Sequence, residues 1–395
     1  MPDNKAQNLK SADRRVPSSQ APDRPFRFYD NRQKYLMFVT TTAEKWAVVE
    51  HIEPELDRLR PSPPCLRVFD AGVGDGTVLS GVLRRLHERF PTVPFLVVGK
   101  EISLEDLRLS LDNMPDRLVE HPETVLVFTN LYYYEAPYLE PAKATENEPV
   151  RLDVRLSGTT SSDFERQIRA LQDDIADLWQ VVASPKTGNP RYVTPTVLTV
   201  SRADRAFVLD SVMPKPGPGM EYDLILAVQP YRARLSAERK VDYVLGPMAE
   251  ALAECGVMIG VQATGQDPGM DIVREVWPGE RPFQTPGPTL VRLLMERLAK
   301  TQPERRYLER TGAGETGLFR YHMHTMPSEL GESIGTSTLM AAWNAAVYVA
   351  QIDDERLNEA MADNRYLAAT AEILERYGGL WFIDEIFSVQ RLPKR

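Results

Sequence analysis

The chain has 395 residues, 43% of them hydrophobic and 26% charged, enough to bury a full core as one elaborated domain or two. With 47 Lys and Arg against 56 Asp and Glu, the net charge of −9 argues against a nucleic-acid or anionic-membrane partner. Two cysteines, Cys65 and Cys255, exclude a disulfide framework and a structural zinc site. No apolar run approaches the ~20 residues of a membrane span and no signal-peptide core is seen, so a cytoplasmic location is expected.

Residues 1 to 25 mix Pro, Ser, Asn, Gln and charge without periodicity, the composition of a disordered tail. Residues 1 to 36 carry eight Lys and Arg against four Asp, a local excess of +4 that leaves −13 for the rest. Aromatics and charges interleave from Phe26 to Tyr35, and a helical pattern follows with Trp46, Val49 and Ile52 on one face. Residues 26–62 are thus expected to pack on the domain as an N-terminal lid or helical segment.

From Leu66 the chain alternates strand and helix signals, which argues for an α/β fold with a parallel sheet and helices on both faces. Expected strands are Leu66 to Asp70, Phe95 to Gly99, Val125 to Thr129, Leu224 to Val228 and Val257 to Val261. Leu79, Val82, Leu83, Leu86 and Phe90 recur at helical spacing after the first strand, Ser103 is placed to cap the next helix, and another helix is expected to stop at Cys255-Gly256. Roughly eighty residues from Glu140 to Met220 exceed the ~12 that a crossover needs, so they form an insertion with a helix from Phe164 to Leu178 and a strand from Thr196 to Val200. A second, helical insertion is read at about 328–378, between strand-like Leu318 to Met326 and Leu380 to Val389. Residues 63–395 are read as one domain carrying both insertions.

The chemistry is concentrated in Val68-Phe69-Asp70-Ala71-Gly72-Val73-Gly74-Asp75-Gly76-Thr77, a strand ending in an acid and three glycines at alternate positions. Such a turn lets the backbone approach a nucleotide-like ligand, and the next helix offers free N–H groups. A nicotinamide fingerprint needs glycine at 77 or 79, where Thr77 and Leu79 stand. Glu101, at the tip of the second strand, is placed to accept hydrogen bonds from both ribose hydroxyls. The strand, turn, helix and Glu101 resemble the class I S-adenosylmethionine-dependent methyltransferases, a Rossmann-like fold whose seven-stranded sheet an antiparallel pair closes. The resemblance implies S-adenosyl-L-methionine as cofactor, held by Asp70, Gly72, Gly74, Gly76, Thr77 and Glu101. It also implies Asn130 and Leu131 against the adenine. Gln229-Pro230-Tyr231, after the fourth strand, is similar to the motif of amino-group methyltransferases, in which a side-chain oxygen accepts from the target nitrogen and the ring packs against it.

Around that core, Tyr132 to Tyr134 form a substrate wall, with Glu135 as a base or cation anchor, or they are tyrosines packed under the insertion. Tyr29, Arg32, Lys34 and Tyr35 form a lid meeting the cofactor carboxylate, or a packed arm. His322 and His324 share a strand face but lack a third ligand, so no metal is expected. Trp277-Pro278-Gly279 is expected at the substrate mouth. The expected activity is methyl transfer to a nitrogen or oxygen of a small molecule by in-line displacement. Alternatives are an aminopropyltransferase and a non-catalytic adenosylmethionine-binding regulator. A homodimer through the insertions is possible.

Overall fold

Strands that are apolar on both faces must be covered on both faces, and this constraint organises the chain from Leu66 onward. The computed structural model describes residues 32–184, 190–311, 317–324, 335–362 and 364–394. The expected tail and the aromatic run from Phe26 to Tyr29 lie outside them. Two helices, α1 (Arg32–Thr41) and α2 (Glu44–Leu56), precede the sheet. In α2 the buried stripe is Val48, Val49, Ile52 and Leu56, whereas Trp46, expected on that face, is turned to solvent.

Strand β1 (Leu66–Asp70) pairs in parallel with β2 (Phe95–Lys100), which pairs in parallel with β3 (Thr124–Thr129), so that Val68, Val97 and Leu126 lie in register. Between them run α3 (Thr77–Arg89), α4 (Leu104–Asp112) and α5 (Met114–Glu120). The Ser103 hydroxyl caps α4 by accepting from the Asp106 N–H at 3.3 Å.

The inserted segment joins the sheet instead of standing apart. It supplies β4 (Val150–Leu156), α6 (Ser161–Ala170), α7 (Gln172–Leu178), a hairpin of β5 (Val181–Ala183) and β6 (Pro190–Tyr192), β7 (Thr196–Arg202) and α8 (Ala206–Leu209). The single expected helix is two, because the chain leaves α6 at Leu171 and starts again. Strand β7 runs antiparallel to β3 and carries β4 parallel to itself as the sheet edge.

The chain then returns to the other side of β1, where β8 (Tyr222–Val228) and β9 (Leu252–Ala263) extend the sheet in parallel. The order therefore reverses between β1 and β8, and a crevice at the carboxyl ends of the strands is expected at such a switch point. Short helices α9 (Ala237–Lys240) and α10 (Gly246–Glu250), joined by a π-helical turn at Val241–Leu245, lie between these strands. Cys255-Gly256 does not end a helix. It is a kink inside β9: Cys255 has φ of 65°, the register against β8 shifts there, and a Cβ on Gly256 would stand 2.5 Å from the Tyr222 carbonyl oxygen.

After α11 (Pro268–Val276) and α12 (Gly287–Thr301), β12 (Trp381–Arg391) closes the sheet antiparallel to β9. Its outer edge is paired in succession by β10 (Tyr307–Thr311) and β11 (Leu318–His322). The expected strand from Leu318 is thus the second half of that edge, and β10 went unread because its Tyr-Leu-Glu-Arg-Thr carries no apolar alternation. The helical insertion is α13 (Thr336–Val349), α14 (Asp354–Ala362) and α15 (Arg365–Tyr377). Two apolar cores result, one joining Leu79, Val82 and Leu86 of α3 to Val68 and Val97, the other joining Leu245 and Leu294 to Phe69 and Val98.

At the end of the sheet away from the crevice, the His121 ring stacks on Phe95 with centroids 3.7 Å apart, and its Nε2–H donates to the Val93 carbonyl at 2.9 Å. In the neutral ring its Nδ1 accepts from His87 at 2.9 Å. Burial, with His87 adding to it against the Val93 bond, lowers its pKa from 6.5 to about 4. The unfolded chain binds the proton first, so this ring's contribution is intact above about pH 6.5 and is lost as pH falls towards 4, at most about 3 kcal/mol. Urea denaturation of wild type and His121→Phe between pH 7 and 4 should show a flatter pH slope in the variant. Equal slopes would mean the ring does not titrate with folding.

Candidate active site

The glycine turn after β1 is held by a carboxylate from the neighbouring strand. The Gly74 N–H donates to Glu101 Oε2 at 3.0 Å, and the N–H groups of Ile102 and Ser103 donate to Glu101 Oε1, each at 2.8 Å. The Trp179 indole at the end of α7 donates to the Glu101 carbonyl at 2.8 Å, so the insertion pins the same corner from outside. Glu101 still lines the cleft beyond the turn, a space of about 680 Å³. The three glycines have different tasks. A Cβ on Gly72 would meet nothing within 4 Å, one on Gly74 (φ +57°) would stand 2.8 Å from the Tyr35 hydroxyl, and one on Gly76 (φ +81°) would stand 2.8 Å from the Ser110 backbone. Gly72 therefore keeps ligand space open, Gly74 admits Tyr35, and Gly76 packs the turn on α4.

Tyr35 comes from α1 and roofs the turn. Its hydroxyl accepts the Asp75 N–H at 3.0 Å and donates to Asp75 Oδ1 at 3.2 Å. Tyr35 and Phe38 pack against Tyr348 of α13, at ring separations of 5.9 and 4.9 Å, so α1 is seated as an arm against the helical insertion. Lys34 reinforces the seat through an ion pair with Asp354 at 2.6 Å and stays out of the cleft. The cation that lines the cleft near the turn is Lys45 of α2, 2.9 Å from Glu44. Burial works against its ammonium, but Glu44, Tyr35 and Asp75 outweigh burial and raise its pKa. The side chains of Tyr29 and Arg32 lie outside the described residues.

At the tip of β8, the strand beside β1, Gln229 and Tyr231 both line the cleft. Gln229 adopts φ of 46°, left-handed for a non-glycine residue at a strand tip, while its N–H donates to Val261 at 2.9 Å. Its carboxamide donates to Glu44 Oε1 at 2.8 Å and to Asp384 Oδ2 at 3.1 Å. Both amide hydrogens are thereby used, and the carbonyl oxygen is the group left to offer to a ligand. Asp384 is fully buried, and burial first, then Glu44 and Asp267, raise its pKa well above the usual carboxylate range. The Tyr231 hydroxyl donates to Gln262 Oε1 at 3.0 Å, which fixes its ring. Asp70 is likewise buried, and its pKa is pushed up to about 7 by burial and by Glu101, against the Gly72 N–H that its carboxylate accepts.

Several expected site residues have other tasks. Asn130 does not reach the cleft: its amide donates to the Thr194 carbonyl at 2.9 Å and its oxygen accepts the Thr196 N–H at 2.9 Å, clamping the insertion to β3. Leu131 is buried in the core. Thr77 donates to Asp75 Oδ2 at 2.6 Å and steadies the turn from inside. Glu135, read as a base or anchor, lies away from the cleft and accepts from the Tyr132 N–H, the Ala142 N–H and the Tyr192 hydroxyl at 3.0 to 3.2 Å. The run divides, since Tyr132, Tyr133 and Tyr134 line the cleft while Glu135 ties their loop down. Trp277 stacks on Trp343 at 5.7 Å and buttresses α13 instead of shaping the mouth. Sequence reading missed Glu44, Lys45, Lys100, Tyr348 and Asp384; for the charged residues the one signal available was charge beside apolar positions, and for Tyr348 there was none.

The strand order, with its reversal between β1 and β8 and its closing antiparallel pair, is the Rossmann-like fold of the class I S-adenosylmethionine-dependent methyltransferases. No protein-family model matches the sequence, and no curated protein matches it. Solved structures similar to the chain include geranyl diphosphate methyltransferase with GPP and sinefungin, 12% identical over 85% of this chain and 74% of that one, with a TM-score of 0.30. A putative sarcosine dimethylglycine methyltransferase from Galdieria sulphuraria is 11% identical over 92% and 86%, with a TM-score of 0.28. Haemonchus contortus phosphoethanolamine N-methyltransferase 2 is 10% identical over 93% and 61%, with a TM-score of 0.30. The fold is assigned on strand order and not on these likenesses.

Because Gly72 faces open space with an ordinary φ, Gly72→Leu should keep its melting temperature within a degree or two and lose binding of S-adenosylhomocysteine in calorimetry. Retained binding would show that this space is not the cofactor's. Glu101→Ala should both lower stability and weaken that binding, each by about 1.5–3 kcal/mol, since three backbone N–H groups lose a charged acceptor. A variant as stable as wild type would show that the turn does not need this carboxylate.

Proposed function

We propose that the protein transfers the methyl group of S-adenosyl-L-methionine to a nitrogen or oxygen of a small-molecule acceptor. The observation that carries the reading is that one cleft is lined both by the glycine turn, at Gly72 and Gly74, with Glu101, and by Gln229 and Tyr231. The residues present fit the cofactor. Gly72 leaves room for it, Glu101 retains acceptor capacity for a ribose hydroxyl, and Lys45 offers an ammonium to a carboxylate. Glu44, Asp70, Asp75, Glu101 and Asp106 make this side of the cleft acidic, which suits a ligand carrying a sulfonium and an ammonium. When bound, adenosylmethionine supplies a methyl carbon already activated for displacement.

The chain's own part is then to position and to exclude water. Gln229, its amide hydrogens held by Glu44 and Asp384, presents a carbonyl oxygen that accepts an N–H or O–H of the acceptor and orients the remaining lone pair. Tyr231, tied to Gln262, gives the acceptor a fixed wall. Tyr35 and Tyr348 cover the turn and keep water from it. Aminopropyl transfer also suits an acidic cleft, but its decarboxylated cofactor would bring no second carboxylate to Lys45, which already pairs with Glu44.

Calorimetry with adenosylmethionine, its decarboxylated form and S-adenosylhomocysteine, followed by turnover over a metabolite panel, tests the reading. Binding of the first and third with methyl transfer is expected. Preference for the decarboxylated form would replace methyl transfer with aminopropyl transfer, and binding without turnover would leave a regulator. With an acceptor in hand, Gln229→Ala should lower kcat by about 10²–10³ while cofactor affinity changes less than threefold, the scale for losing one placed polar group. An unchanged kcat would remove Gln229 from the mechanism.

A further inference from the structure

The cleft is lined by charges of both signs. Its carboxylates belong to α2, to α4 and to the tips of β1 and β2, beside the glycine turn. The cations lining the cleft are Lys45, paired with Glu44, and Lys100, Arg191 and Arg232, of which Lys100 stands against the Tyr133 ring.

Lys100 is the telling member. It is the last residue of β2, 6% exposed, and its Nζ lies 4.5 Å from the centre of the Tyr133 ring. Tyr133 is itself anchored, its hydroxyl donating to the Pro230 carbonyl. No described residue accepts a hydrogen bond from the Lys100 ammonium or forms an ion pair with it. Burial lowers its pKa, with Glu101 opposing the shift from a distance. A cation taken out of water is retained when something of opposite charge completes it, and an aromatic face alone does so weakly. Arg191, on the exposed β5–β6 hairpin, adds a guanidinium to the same cleft, and guanidinium suits carboxylate and phosphate alike.

We propose that Lys100 and Arg191 form an anion subsite that takes a carboxylate or phosphate group of the acceptor, whose apolar part lies against Tyr133, Leu235 and Val244. This rests on the methyltransferase reading, since it assigns the second occupant of the same cleft.

Calorimetry with phenyl phosphate, benzoate and benzyl alcohol, each with and without saturating S-adenosylhomocysteine, tests it on the full chain. Both anions, or one of them, should bind at least tenfold more tightly than the alcohol, and the pattern identifies phosphate or carboxylate as the preferred group. Lys100→Met should abolish the preference while keeping wild-type affinity for S-adenosylhomocysteine, which also reports that the variant is folded. Arg191→Ala, on an exposed hairpin, should reduce the preference a few-fold without touching the sheet. Lys300→Met, on the outer face of α12, should leave it unchanged. Anions bound no better than the alcohol, or equally well by wild type and Lys100→Met, would overturn the subsite. Failure of S-adenosylhomocysteine to bind would instead overturn the methyltransferase reading, and the anion comparison in its absence would still decide the subsite.

Discussion

One carboxylate holds the site together. Glu101 collects N–H groups from two different strand exits, Gly74 after β1 and Ile102 and Ser103 after β2, and so converts two independent loops into one rigid edge. Backbone N–H groups turned towards a cleft need an acceptor, and a charged acceptor makes the stronger bond. What lies around Glu101 is arranged to keep it there: Trp179 braces its carbonyl, Gly76 lets the turn press on α4, and Tyr35 bridges to Asp75 from above. A ligand at this edge therefore meets polar groups already oriented by the fold, which lowers the ordering cost of binding.

The tip of β8 follows a different rule. Gln229 is held in a strained backbone conformation and its amide is shared between two buried carboxylates, one of them Asp384, far along the sequence on the closing strand. Strain of this kind persists where the surroundings over-determine it. The last strand of the sheet thus bears directly on the orientation of a side chain at the tip of the fourth parallel strand, and a change in β12 would be felt at Gln229.

The parallel strands were legible because each is a short apolar run bounded by turn residues, and the glycine turn because three alternate glycines after an acid have few other uses. What escaped was long-range. Asn130 follows a strand as a cofactor residue would, yet the insertion returns to the same strand and claims it. Glu135 sits among cleft tyrosines, yet its loop curls so that backbone and Tyr192 saturate it. Glu44 and Asp384 lie in helix and strand patterns that periodicity treats as surface or core, and their convergence on Gln229 exists in the folded chain alone. The insertion was visible by length, but a strand order that places β7 against β3 cannot be read from local composition.

The added strands also move the border of the sheet. Strand β4, now at that border, alternates Arg151, Asp153 and Arg155 outward with half-buried Leu152 and Val154. An exposed row of unpaired N–H and C=O groups invites a foreign strand to add itself, and alternating charges of both signs deter it, because a second copy in register would set Arg against Arg. The insertion thereby does for the outside of the molecule what no residue of the cleft can: it extends a mostly parallel sheet and leaves it with a margin that resists fibrous self-association.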